Sequence, residues 1–175
     1  MNTRIARGFL SGAVATIPMT LVHIAIWGIT GRLTVAALAT RTLPGTIITK
    51  MFGPGLPVST HLLLATVIHL GYGGFWGAML FALTRRVTFW KGVAMGGFLY
   101  LGLQIFIQPL LGRGIFASGS PEVLFLIWFS IATHFTYGAS LGLLGAWNER
   151  AAETGLGLAK SRVQPTDQKP VTPVR

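Results

Sequence analysis

Two stretches of the chain repeat one chemical pattern. HLGYGGFWG, from His69 to Gly77, and HFTYGASLG, from His134 to Gly142, both fit H-x-x-Y-G-x-x-x-G. The chain holds only four histidines and three tyrosines, so the pattern takes two of each. Imidazole can ligate haem iron or a divalent metal, or hydrogen-bond across helices. Residues i, i+3 and i+4 share one face of a helix. His69, Tyr72, Gly73 and Gly77 therefore form one stripe, and His134, Tyr137, Gly138 and Gly142 form another. At 1.5 Å per residue, the two histidines lie roughly 12–18 Å from the outer ends of their helices, and His23 about 10 Å from the end of its own. Gln104 and Gln108 fall near comparable depths. The candidate polar or ligand cluster is His23, His69, Tyr72, Gln104, His134 and Tyr137, with Thr133 and Thr136 nearby. Three readings stay open for it. The side chains can join helices by hydrogen bonds; they can line a small-molecule, quinone or lipid pocket; or His69 and His134 can act as axial ligands of a b-type haem or bind a metal, with glycines leaving room for the porphyrin.

Enzymatic chemistry has little to stand on. Only four residues are acidic, and Glu122 and Glu149 sit at the ends of apolar runs. No carboxylate pair serves acid–base work, and no aspartate can orient a histidine in a triad. HLLLATVIH, His61 to His69, lacks the glutamate and spacing of H-E-x-x-H. The absence of cysteine excludes disulfides, thiolate metal sites and cysteine nucleophiles. No catalytic residue and no metal ligand set is expected, and no cofactor beyond the haem alternative. The paucity of intramembrane charge also places ion-coupled transport of a small solute third among the function classes.

The elements that must carry these residues are apolar. Of 175 residues, 51% are hydrophobic and 10% charged, and the mean hydropathy is +0.63, against about 25% charged in a typical soluble domain. Four runs, about 8–29, 61–83, 92–111 and 123–146, have the roughly 20 residues that cross a hydrocarbon core, and in lipid such runs must be helices. The first is too long for a signal-peptide core. Residues 1–148 thus read as one four-helix transmembrane domain with an outer loop over about 30–60. That loop is apolar and then broken by Pro44, Pro54 and Pro57; it reads as an interfacial cap or as a substrate-gating or partner-binding loop. Residues 149–175 read as a basic, disordered cytoplasmic tail. Trp27, Trp90 and Trp147 fall where interfacial anchors belong.

R-G-F-L-S-G, Arg7 to Gly12, and K-G-V-A-M-G, Lys91 to Gly96, add a second repeated pattern. The pairs Gly8/Gly12, Gly73/Gly77, Gly92/Gly96 and Gly138/Gly142 put a small-xxx-small motif in every span, which in lipid lets helix backbones approach. The expected fold is all-α: a four-helix transmembrane bundle built as a parallel tandem repeat of two helical hairpins.

R-G-x-x-x-G, the loop stretch TVAALATRTLPG and the doubled H-x-x-Y-G-x-x-x-G resemble the small bacterial inner-membrane proteins with YagU-like domains of unknown function, over about residues 4–148. The resemblance implies a four-helix inner-membrane protein and transfers no catalytic residue. The leading expectation is a non-enzymatic integral plasma-membrane protein, either an accessory or interaction subunit or a small binder of lipid or lipophilic ligand. The alternative is a haem- or quinone-associated redox subunit using His69 and His134. The formal charge of +10 sits at the ends of apolar runs, so the expected partners are anionic lipid head groups, with a membrane-protein partner or a second copy, and no nucleic acid.

Orientation follows from the basic residues. With four spans, Arg4, Arg7, Arg85, Arg86, Lys91, Arg150, Lys160, Arg162, Lys169 and Arg175 share one side, and Arg32, Arg41, Lys50 and Arg113 the other. Ten against four places both termini inside a bacterial plasma membrane. A reporter active only in the cytoplasm, fused after Arg150, is expected to be active. Strong activity of a periplasm-specific reporter at the same position sinks this topology.

Overall fold

Backbone amides in hydrocarbon must bond within their own segment, and the chain obeys this with helices. The computed structural model describes residues 3–163. Its helices are α1 (Thr3–Ile29), α2 (Val35–Thr40), α3 (Leu43–Phe52), α4 (Val58–Leu83), α5 (Phe89–Leu110) and α6 (Val123–Val163), with a 3-10 turn at Ile115–Ala117. α1, α4, α5 and the first 32 residues of α6 are long and apolar enough to cross a membrane. The chain is therefore read as an all-α, multi-pass membrane protein. Leu10, Leu21, Leu63, Leu124 and Leu143 are each at least 60% exposed, a face suited to acyl chains.

Three of the spans start a turn earlier than their apolar runs do, since polar residues such as Thr3 and Thr88 continue or cap the first turn. Thr88 accepts a bond from Lys91 N–H and starts α5. α6 is continuous through Asn148 as far as Val163, so a helix occupies the start of the stretch read as a disordered tail. Residues 164–175 lie outside the described residues. The loop after α1 holds two short helices. Thr34 caps α2 and Thr42 caps α3, each with its hydroxyl accepting a backbone N–H three residues on, as serine and threonine caps do. Gly53, at φ +81°, ends α3 in a conformation that favours glycine.

The four long helices pack chiefly in pairs. α1 lies along α4, α5 lies along α6, and α1 also packs along α6, while α4 and α5 meet only sparsely. Trp76 of α4 and Phe98 of α5 touch across this open edge, ring centres 5.7 Å apart. α2 and α3 rest on α4. The main core is Ala15, Leu80, Phe81, Val87, Leu99, Tyr137 and Leu141. It sits toward the end of the bundle that carries the termini.

The pairings are made backbone against backbone. A Cβ on Gly12 would come 2.8 Å from Gly77 Cα, and one on Gly8 would come 2.8 Å from Phe81 Cβ. On the other pair, a Cβ on Gly138 would come 2.9 Å from Gly96 Cα, and one on Gly142 2.9 Å from Phe89 Cα. Gly73 packs against Thr16, and Gly92 against the Gly138 carbonyl. Nothing heavier than hydrogen fits at these points without moving a helix.

α5 contains one π-turn, Leu103–Ile107, closed by Gln108 N–H bonding Leu103 O five residues back. Pro109 follows and has no N–H to give to Ile105 O, so the regular ladder breaks there. The wider turn carries Gln104, which is fully buried.

Replacing Gly138 by leucine is expected to destabilise the bundle by about 1–3 kcal/mol, the usual cost of overpacking. Gly71→Ala, whose added methyl meets open space, is expected to change stability by less than about 1 kcal/mol. Unfolding in mixed detergent micelles measures both; equal stability of Gly138→Leu and wild type removes the close-packing account.

Candidate ligand site at the far end of the bundle

At the end away from the termini, His23 of α1, His69 of α4 and His134 of α6 come into one neighbourhood, with His69 in electrostatic reach of both His23 and His134. Their partners differ. His134 Nδ1 donates to Ser130 O at 2.8 Å, one turn back on its own helix. That bond fixes the tautomer and leaves Nε2 as the acceptor. His69 has no hydrogen-bond partner among the described residues. The His23 ring lies 4.4 Å from Trp27 and 4.6 Å, edge-on, from Phe129, and its buried Nε2 has no protein partner. Neither member of the repeated pair therefore bonds a neighbouring helix through its imidazole.

The tyrosines separate as well. Tyr137 is buried and donates to Gly73 O at 2.7 Å, joining α6 to α4. Tyr72 is 51% exposed, with its ring against Trp76. It does not point into the bundle, contrary to the expectation for the shared stripe. The reason lies in the packing order. α6 has a long helix on either side, whereas α4 lies along α1 and meets α5 only sparsely, so the residue next to the packing glycine is covered on α6 and falls on the rim of α4. The glycine stripes offer no slot for a porphyrin either, since the room beside Gly73, Gly77, Gly138 and Gly142 is filled by the facing helix. Among the described residues, no three histidine or carboxylate side chains gather as a metal set.

Gln104 is fully buried, and neither atom of its amide has a protein partner. Gln108, one turn on, is also buried, and its Oε1 is 3.5 Å from Arg113 Nη1. Gln108, with His23, lines a cavity of about 310 Å³ that opens at this end, within the range of small-ligand sites. Its floor is His23, Trp27 and Ser130. One wall is apolar, from Leu103, Phe125, Leu126 and Phe129; the other is the α2–α3 corner, Arg41 to Thr46. Arg32 and Glu122 stand at the rim, 3.0 Å apart, and the Arg32 guanidinium covers the Phe125 ring at 4.1 Å. Arg41 and Arg113 also reach the cavity, and neither pairs with a carboxylate among the described residues.

Three features of this end are not foreseen from the pattern of residues. Trp27, expected as an interfacial anchor, is 7% exposed and sits in the cavity floor, because it lies on the face of α1 that meets α6. His61, within a segment set aside as lacking a metal motif, is fully buried and holds α3 against α4 through Thr49 Oγ1, 3.1 Å from its Nε2. The corner residues Arg41 and Thr42 belong to a loop whose fold only the caps at Thr34 and Thr42 could have signalled. No family model, curated protein or solved structure matches the chain.

Tyr137→Phe is expected to cost about 0.6–1.7 kcal/mol, the range for interhelical hydrogen bonds in membranes, and Tyr72→Phe distinctly less. Detergent unfolding of the two variants compares them directly, and an equal loss would contradict the asymmetry.

Proposed function

We propose that this chain is a non-enzymatic protein of a bacterial plasma membrane, with both termini inside, that holds a lipid or other lipophilic ligand in the cavity between α1, α3, α5 and α6. The observation that carries the reading is the cavity itself, about 310 Å³, lined by Leu103, Phe125, Leu126 and Phe129 together with the polar side chains of Arg41, Gln108 and Arg113. A lipophilic molecule can lay its apolar part on Phe125 and Leu126 and bring an oxygen to the polar side chains that line the same cavity. The YagU-like resemblance fits such a protein but supplies no ligand.

The duplicated hairpin belongs to the same proposal. Glycine-on-glycine packing within both α1/α4 and α5/α6 supports it. The unequal tyrosines and the unequal α1–α6 and α4–α5 contacts mean that any two copies have diverged in how they pack.

The test is purification from native membranes in two unrelated detergents, followed by extraction and mass spectrometry. One retained lipophile per chain is expected, with much less retained by Thr46→Trp, which fills the cavity rim. Full retention in Thr46→Trp, or none in wild type in either detergent, rejects the cavity as the site. The same preparation is expected to be colourless. A Soret band lost in His69→Ala would restore the haem alternative.

A further inference from the structure

We infer that the cavity is an anion site: its ligand carries a phosphate or carboxylate group held between Arg41 and Arg113, with any apolar part laid on the Phe125 wall. This rests on the reading of the cavity as a ligand site and specifies its chemistry.

The argument starts from charge. Three arginines and one glutamate surround the cavity. Arg32 is already committed, 3.0 Å from Glu122 and stacked on Phe125. Among the described residues Arg41 and Arg113 have no carboxylate, and the single side-chain bond of Arg113 is the long one to Gln108. Two guanidinium groups beside one cavity leave several N–H donors and a net positive field. Planar guanidinium forks match the oxygens of phosphate and carboxylate, often two bonds at a time. The second observation is an amide. Gln108 lines the same cavity, its Oε1 is turned to Arg113, and its N–H groups make no bond among the described residues, so they add donors for a ligand oxygen. A cation would find the reverse, with only Glu122 to meet it, itself bound to Arg32. The apolar wall decides between a bare anion and an amphiphile. Leu126 and Phe129 continue from it along the membrane-spanning part of α6, so a ligand headed at the arginines can extend its chain toward the lipid.

Calorimetric titration of the full-length protein in a neutral maltoside detergent tests this. The probes are dihexanoyl phosphatidic acid, dihexanoyl phosphatidylcholine, dihexanoylglycerol and inorganic phosphate. Phosphatidic acid is expected to bind at one equivalent. Arg41→Gln and Arg113→Gln should each weaken it about tenfold or more, and Arg150→Gln at the opposite end should not. Neither arginine makes an ion pair within the described residues, so both variants should fold, which circular dichroism and thermal melting check. If dihexanoylglycerol binds as tightly as phosphatidic acid and the arginine variants match wild type, the anion site is wrong while the lipophilic cavity stands. If inorganic phosphate binds as tightly as phosphatidic acid with the same arginine dependence, the anion site is upheld and its ligand is a free anion, so the lipophilic reading falls. No binding of any of the four overturns the inference, and the co-purified lipophile then judges the cavity separately.

Discussion

Two apolar helices in hydrocarbon gain nothing by hiding apolar side chains from each other, since lipid solvates those side chains equally well. What remains is close contact between backbones, and here that contact is made where glycines leave the helix surface bare. Gly8 and Gly12 meet the Gly73–Gly77 face, and Gly92 and Gly96 meet the Gly138–Gly142 face. The rest of the arrangement follows from these two seams. Each fixes one hairpin as a tight unit. The two units then join along α1 and α6, and the edge between α4 and α5, where Trp76 meets Phe98, stays sparsely packed.

Polar groups obey a different rule. In lipid, an unpaired donor or acceptor is costly, and most hydroxyls here bond the carbonyl of the preceding turn: Ser11 to Arg7, Thr20 to Thr16, Thr136 to Ala132. Few side chains bond across helices, among them Tyr137 to Gly73 and Asn148 to Ser11. Among the described residues, the exceptions to local satisfaction are Gln104, His23, Trp27 and Trp76. His23 and Trp27 line the cavity at the far end, and Gln104 sits on the π-turn that Pro109 imposes on α5. Pockets with few convergent polar groups on an apolar background are where ligands bind.

The sequence discloses the four spans through their length and apolar content, because the bilayer leaves so few alternatives. It places Gly73 and Gly138 on helix faces by spacing alone. It does not disclose which helices have neighbours on both sides, and that single fact separates buried Tyr137 from exposed Tyr72 and sends Trp27 inward. Nor does it reveal that His61 holds α3, since the partner Thr49 lies in a loop whose two short helices depend on the caps at Thr34 and Thr42. Pro109 carries a local signal for the π-turn, readable as a missing donor. The cavity is the least legible feature, because Arg41 and Arg113 come from separate loops that only the tertiary packing brings to one place.

Arg4 has a consequence for how such a chain is assembled. Its guanidinium bonds the Phe81 and Arg85 carbonyls at the end of α4, lies over the Phe81 ring, and reaches Glu149 of α6 at 2.7 Å. These partners are synthesised 77, 81 and 145 residues after it. During N-to-C synthesis the first hairpin can close on its glycine seam, with Arg4 latched to two carbonyls, while the second is still on the ribosome. The Glu149 bond forms only once α6 has been released and has docked beside α1. Of these contacts, the ion pair to Glu149 is therefore the last that synthesis makes available.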